Sequence, residues 1–111
     1  MSGRIELWLF VAQRASAAVL APLVLVHLAT IVYAAEGGLS AAEILSRTQG
    51  SVLWAGVYGL FVIAAAVHGA IGLRVIIDEM TPWRGASLDG AAVLFLLLVL
   101  GIGLRAVAAV T

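Results

Sequence analysis

Three long, uninterrupted apolar segments determine what this chain can fold into. They cover about residues 7–35, 52–77 and 91–110. Each is long enough to cross a bilayer, because a membrane-spanning helix needs about 20 residues. Lipid offers no hydrogen-bond partners, so only helices and closed barrels can span it, and continuous apolar segments indicate helices rather than the alternating pattern of barrel strands. The sequence therefore predicts an all-α membrane protein with three transmembrane helices.

Composition excludes several other classes of protein. Hydrophobic residues make up 64% of the 111 positions and charged residues 11%, whereas soluble domains carry about 25% charged residues. A formal net charge of 0 and the absence of any basic stretch argue against nucleic-acid binding. With no cysteine, the chain cannot form disulfides or ligate an iron–sulfur cluster itself. Three spans leave no room for a separate catalytic domain, so residues 1–111 are predicted to form one transmembrane domain.

The arginines and the connections predict the orientation of the chain. More arginines fall on the side of the N-terminus and the second connection than on the other side: Arg4, Arg14, Arg74 and Arg84 against Arg47 and Arg105. By the positive-inside rule, this difference places the N-terminus in the cytoplasm. A cleavable signal peptide is the alternative for the first segment, which is disfavoured because the segment is long and contains Arg14. In the first connection, Ser40 and Glu43 have the spacing of a capping box, which predicts a short interfacial helix over about 41–46.

Two histidines lie within the predicted spans, where ionisable residues are rare and usually functional. His68 precedes Asp78 by ten residues, about 15 Å of helix, and is therefore placed near mid-membrane. Gly72 shares its helical face and could let a flat macrocycle lie against the backbone, so His68 is a candidate haem ligand. The alternative is a histidine that only hydrogen-bonds to a neighbouring helix, with the glycines serving close helix packing.

His27 lies in the first span and is predicted at a different depth. The offset from His68 is on the order of 10 Å when residues are counted from the helix ends at 1.5 Å each. We therefore do not expect the two histidines to bind the same iron. If both bind haem, each needs a histidine from another chain, and two haems would stack across the bilayer. A structural role near Thr30 is the alternative for His27.

A second group of polar residues lies toward the predicted cytoplasmic side. Arg14 and Ser16 in the first span, with Asp78 and Glu79 after the second, could form a quinone pocket, because quinone oxygens need hydrogen-bond donors and quinone reduction needs protons. The arginines could instead extend to the lipid headgroups, and Arg74 could pair with Asp78 at the i,i+4 spacing.

The segments Gln13-Arg14-Ala15-Ser16-Ala17 and His68-Gly-Ala-Ile-Gly72-Leu-Arg74-Val-Ile-Ile-Asp78-Glu79 carry a resemblance to a known family. They resemble the membrane-anchor, cytochrome b chains of succinate dehydrogenase and fumarate reductase. Those anchors have three spans, an Arg-x-Ser type motif in the first, a His-x-x-x-Gly haem ligand in the second and an acidic residue soon after it. All of these features occur here in the same order, and the resemblance covers essentially the full chain.

The resemblance implies a non-catalytic subunit of succinate:quinone oxidoreductase, the respiratory complex II that also works in the tricarboxylic acid cycle, in the bacterial cytoplasmic (inner) membrane. It implies partners: a flavoprotein subunit, an iron–sulfur subunit and a second anchor chain, either a different gene product or a copy of this one. The chain would form half of a haem-binding helical bundle. It would hold one haem b through His68, or two with His27, and form part of the site where quinone accepts electrons.

The sequence departs from the family pattern at three positions. Gln13 stands where the larger anchor chain has a histidine, Phe10 where it has a serine, and Glu79 where the smaller chain has a quinone-binding tyrosine. Trp83 or a partner chain would then supply the missing hydrogen-bond donor. The alternatives are an anchor for fumarate reductase or for another dicarboxylate flavoprotein, and a haem-free scaffold or small transporter. A proton-coupled transporter is disfavoured because the acidic residues all lie at span edges or in connections.

Overall fold

A computed structural model describes residues 3–111 as four helices joined by short connections. They are α1 (Gly3–Glu36), α2 (Ala41–Thr48), α3 (Val52–Met80) and α4 (Ala86–Val110). No strand occurs in this part of the chain. The helices α1, α3 and α4 are long and apolar enough to cross a membrane, which confirms the three predicted spans. The 34 residues of α1 give a length of about 51 Å, well beyond a hydrocarbon core of about 30 Å.

The helices are longer than the apolar segments that predicted them. At one end of the bundle, α1 begins at Gly3, α3 continues to Met80 and α4 begins at Ala86. Helical hydrogen bonds can continue into the polar interface, where hydropathy no longer marks them. The helix α3 ends where Pro82 disfavours the helical conformation of Thr81, which is extended at φ −135° and ψ 163°. We call this end, which carries the N-terminus and the α3–α4 connection, the N-terminal end of the bundle.

The first connection contains the predicted short helix. The Ser40 hydroxyl accepts a hydrogen bond from the Glu43 amide at 3.2 Å and donates one to the Glu43 carboxylate at 3.1 Å. Those contacts begin α2 at Ala41, as the capping-box spacing predicts. Between α2 and α3, Gly50 has a φ of +73°, a conformation that glycine adopts readily. Its amide donates to the Thr111 carbonyl at 2.8 Å, which ties this turn to the end of α4.

Helix α3 is the centre of the bundle and packs against both α1 and α4. Its three buried residues are alanines, Ala64, Ala66 and Ala70. Small side chains let transmembrane helices approach closely, which favours association in lipid where the hydrophobic effect contributes little between helices. The closest approach to α4 is at Gly103, where a Cβ atom would lie 2.5 Å from Val62 Cγ1.

Most large apolar side chains of the described residues are exposed in the isolated chain. They extend along all three spans, from Leu7 on α1 through Leu60 on α3 to Ile102 on α4. The chain measures 49 × 25 × 22 Å, and a bundle this thin cannot enclose these side chains. These surfaces therefore face lipid tails or another membrane chain.

Ion pairs join three helices at the N-terminal end. Arg74 on α3 donates from Nε to Asp89 Oδ1 on α4 at 2.8 Å, and its Nη2 lies 3.8 Å from Glu6 Oε1 on α1. Asp78, in the last turn of α3, pairs instead with Arg84 of the α3–α4 connection at 3.3 Å. The i,i+4 pair of Arg74 with Asp78 considered from the sequence is replaced by these contacts, because the early start of α4 places Asp89 opposite Arg74.

Replacing Asp89 with asparagine is expected to destabilise the helical bundle by about 1 kcal/mol, the upper range for partly exposed ion pairs. The Arg74 side chain is 16% exposed and cannot solvate its charge fully once its nearest carboxylate is lost. Thermal unfolding in detergent at low and high salt measures the loss. Asp78→Asn is the control, since the Asp78–Arg84 pair is more exposed. Equal destabilisation by both variants would contradict the assignment.

Candidate functional site

The antiparallel packing of α1 on α3 places particular residues at the same depth. Ser16 lies opposite His68, and Gln13 lies opposite Gly72. Toward the other end of the bundle, His27 lies opposite Tyr58 and Phe61. As residue numbers increase along α1, the numbers of the residues opposite on α3 decrease. This register gives the depth of each polar residue in one span relative to the residues of the other.

His68 is half-buried between α1 and α3 near the middle of its helix. Its Nδ1 atom lies 3.4 Å from Ser16 Oγ, at the long end of hydrogen-bond distance. Ser16 is only 7% exposed and is the one buried polar residue of the described chain. The Ser16 hydroxyl donates to the Gln13 carbonyl at 3.0 Å. No residue of the described part of the chain hydrogen-bonds to His68 Nε2, so that nitrogen is available to a group outside the chain.

Gly72 lies on the same face of α3, one turn beyond His68, and is covered by α1. A Cβ atom built at Gly72 would lie 3.5 Å from Gln13 Nε2. The amide oxygen of Gln13 is buried and has no hydrogen-bond partner among the described residues. In the isolated chain, the surface that Gly72 leaves open is therefore occupied by the Gln13 amide, and the glycine lets α1 approach α3 closely.

His27 lies in different surroundings, near the opposite end of the bundle. Its ring contacts Tyr58 edge-on at 5.8 Å between ring centroids and Phe61 at 5.3 Å. Thr30 Oγ1 donates to the His27 carbonyl at 2.7 Å and lies 3.3 Å from the Tyr58 hydroxyl. The ring nitrogens of His27 form no hydrogen bond with the described residues. A polar ring with aromatic neighbours and no partner within the chain is open to a ligand from outside.

A cavity of about 650 Å³ lies beside His27, between α1, α2 and the start of α3. Its walls are mainly apolar, and its polar groups include Thr30, Tyr33, Arg47 and Tyr58. Arg47 donates from Nη1 to the Tyr33 hydroxyl at 2.9 Å. This hydrogen bond raises the pKa of Arg47 above its ordinary value. An arginine side chain is charged throughout the ordinary pH range, so the cavity has a positive charge at its α2 edge.

The two histidines are too far apart to share an iron. Ser16 marks the depth of His68 on α1, the helix that also carries His27. Ser16 and His27 are separated by eleven residues, which is about 16 Å of helix. This agrees in kind with the offset expected from the sequence. Among residues 3–111, no three histidine or acidic side chains cluster closely enough to hold a metal ion.

The five residues predicted for a quinone pocket are divided between two depths. Ser16 lies beside His68. Asp78 and Glu79 come ten and eleven residues after His68, which is about 15 Å closer to the N-terminal end. The described chain does not bring Ser16 and these carboxylates into contact.

The other two predicted residues make local contacts. Arg14 is exposed, and its guanidinium carbon lies 5.4 Å from the centroid of the Phe10 ring. Trp83 lies in the α3–α4 connection and donates from Nε1 to Ser87 Oγ at 2.7 Å. The described chain therefore does not bring the five predicted residues together in one pocket.

Sequence reasoning missed two residues that the structure brings to these sites. Gln13 was noted only as a departure from the family pattern, yet its buried amide lies against Gly72. The sequence did not single out Asp89, which is the nearest carboxylate to Arg74 among the described residues. Antiparallel neighbouring helices pair residues that lie at about equal distances from their connection. The turn between Met80 and Ala86 has five residues, and counting outward from it places Asp89 within about two turns of Arg74.

The comparison with protein families identifies the fold. The family model described as succinate dehydrogenase/fumarate reductase transmembrane subunit matches residues 1–104. The chain belongs to this family. The match includes α1, α2, α3 and most of α4, and it confirms the resemblance read from the two motifs. Searches of curated proteins and of solved structures found no match.

Family membership explains the architecture of this transmembrane subunit. A membrane subunit of a succinate dehydrogenase or fumarate reductase complex needs long apolar helices to cross the bilayer and a surface for its partners. The three spans and their exposed apolar faces meet the first requirement. Its polar residues within the spans, above all Ser16 and His68, are the candidates for a functional role.

Proposed function

We propose that this subunit anchors succinate dehydrogenase in the bacterial cytoplasmic membrane, binds haem b through His68 and forms part of the quinone site. Its soluble partners are the flavoprotein subunit, which oxidises succinate, and the iron–sulfur subunit, which carries the electrons to the membrane. The observation that supports the haem assignment best is the state of His68. One ring nitrogen lies against Ser16, and the other has no partner among the described residues.

The side chains present suit a haem. Metal-binding histidines usually present one nitrogen to the metal and hold the other by a hydrogen bond, as His68 can do with Ser16. Histidine is an axial ligand of haem iron, and a bound haem b would supply one-electron transfer between the iron–sulfur subunit and quinone. In the described chain, His68 has no second histidine at its depth, so a second histidine ligand to the haem would come from the second anchor chain.

The exposed surfaces of the spans suit a second anchor chain, either a different gene product or a copy of this one. Arg14 is the strongest indication. By the α1–α3 register it lies about 12 Å inside the depth of Asp78, and it is exposed in the isolated chain. A guanidinium at that depth costs several kcal/mol unless it faces protein, a cavity or a cofactor.

The same argument supports a quinone site toward the N-terminal end. Arg14 would donate to a quinone oxygen, and Asp78 and Glu79, nearer the aqueous phase, would relay protons during reduction. The Trp83 indole is a further donor if it exchanges its Ser87 partner for quinone. Ser16, also predicted for this pocket, takes a different role, because its hydroxyl hydrogen is already bound to the Gln13 carbonyl.

Isolation of the complex through a tag on this subunit tests the proposed function. We expect the flavoprotein and iron–sulfur subunits to copurify, together with a b-type signal in the pyridine haemochrome assay and succinate-driven quinone reduction. Mass spectrometry identifies the soluble subunits and the second anchor chain. A complex without haem would overturn the haem assignment, and a complex with other soluble partners would overturn the assignment to succinate dehydrogenase.

A second haem at His27 gives a separate prediction. The unpartnered ring of His27 beside the 650 Å³ cavity, with Arg47 at its edge, could hold a haem and one of its propionates. We expect two haems per complex, and His27→Leu should lower this to one while keeping the haem at His68. Haem quantification per complex is the measurement. A wild-type value of one would leave His27 with a structural role.

A further inference from the structure

We propose that Ser16 is a positioning residue for the haem ligand: its hydroxyl oxygen accepts a hydrogen bond from His68 Nδ1–H and thereby directs the lone pair of Nε2 to the iron. The inference rests on the proposed function, since it assumes that His68 binds haem. It removes Ser16 from the quinone site, where the sequence pattern placed it.

The position of Ser16 restricts what its hydroxyl can reach. It lies on α1 facing α3 and is only 7% exposed, which no other polar residue of the described chain matches. Its hydroxyl has two partners, the Gln13 carbonyl at 3.0 Å and His68 Nδ1 at 3.4 Å. A quinone would have to displace one of the two helices to reach this oxygen.

The number of hydrogens determines which partner donates. A serine hydroxyl has one hydrogen and two lone pairs. The Gln13 carbonyl can only accept, so the Ser16 hydrogen is directed to it, as is common for serine within helices. The oxygen can then only accept from His68, which requires the hydrogen of a neutral imidazole to be on Nδ1. Nε2 is consequently left without a hydrogen.

This arrangement affects both the geometry and the electronics of the ligand. The Nδ1–H···O bond fixes the rotation of the imidazole ring. A hydrogen bond donated by the distant ring nitrogen also makes a histidine ligand more basic, and a more basic ligand favours oxidised iron. Ser16 is therefore expected to lower the midpoint potential of the haem at His68.

The experiment compares the complex carrying Ser16→Ala with wild type and with Ser16→Thr, which keeps the hydroxyl. Ser46→Ala is the matched control, because the Ser46 hydroxyl bonds only to the Glu43 carbonyl within α2. Ser16→Ala should weaken haem binding about tenfold, as typical for loss of such a partner. It should also raise the midpoint potential, by about 59 mV for each tenfold change in the relative affinity for the two oxidation states. Optical redox titration measures the potential.

A second measurement does not need the haem. In the full chain with ¹⁵N-labelled histidine, purified without haem, the ring shifts of His68 should show the hydrogen on Nδ1, and this preference should be lost in Ser16→Ala. His68→Gln assigns the signals. If Ser16→Ala does not accumulate, Ser16→Cys supplies a weaker acceptor of similar shape.

The outcomes separate the inference from the proposed function. A raised potential in Ser16→Ala that Ser16→Thr restores, with Ser46→Ala unchanged, supports the positioning role. Equal potentials, or a hydrogen on Nε2 in the wild-type chain, would overturn it. A wild-type complex without b-type haem would overturn the haem assignment, whereas the labelled chain would still show whether Ser16 sets the tautomer of His68.

Discussion

Replacing His68 with leucine is expected to abolish the haem that this histidine binds. Leucine has a similar size but no nitrogen to offer the iron, so the bond that His68 would supply to the haem is lost. The fold should tolerate the change, because Ser16 keeps its hydrogen bond to the Gln13 carbonyl. An apolar leucine side chain can also pack between two transmembrane helices. We expect the absorbance of this haem to fall to background in the purified complex, while the flavoprotein and iron–sulfur subunits still copurify.

His27→Leu is the matched control for this prediction. It makes the same substitution about 16 Å away along the bundle, at the wall of the cavity near Arg47. The haem at His68 should keep its spectrum and potential in this variant. A spectrum of His68→Leu that is identical to wild type would contradict the assignment of His68. The haem ligands would then have to be sought in the second anchor chain.

Replacing Gly103 with alanine is expected to destabilise the α3–α4 pair by about 1–3 kcal/mol, the usual cost of overpacking. The added Cβ would lie 2.5 Å from Val62 Cγ1 and 3.3 Å from Val62 Cβ. A β-branched valine has almost no rotamer freedom in a helix, so it cannot move aside and the helices must separate. Thermal or denaturant unfolding in detergent measures the loss of stability.

The neighbouring glycine on α4 provides a control for this substitution. Nothing lies within 4 Å of a Cβ built at Gly101. Gly101→Ala should therefore be neutral or slightly stabilising, since alanine favours helix over glycine by about 1 kcal/mol. Combining Gly103→Ala with Val62→Ala should recover most of the lost stability, as a double-mutant cycle would show. Equal effects of the two glycine substitutions would contradict the close packing seen at Gly103.

The polar residues of the site could be listed from the sequence, but their contacts could not. His68 and Ser16 stand out because each lies within an apolar segment. Their pairing depends on the register of α1 against α3, which the sequence of either helix alone does not give. The pairing of Arg74 with Asp89 rather than Asp78 depends likewise on where α4 begins.

The sequence by itself determined the number of spans and the short capped helix in the first connection. It also identified the two histidines within the spans as candidate functional residues, because ionisable residues are rare there. These features follow from local rules, because burial in lipid, backbone hydrogen bonding and helix capping each depend on neighbouring residues. Only the tertiary structure decided that Ser16 lies against His68, that Gln13 covers Gly72 and that Gly103 meets Val62. Such contacts join residues far apart in the chain and depend on shape complementarity between helix faces, which hydropathy does not record.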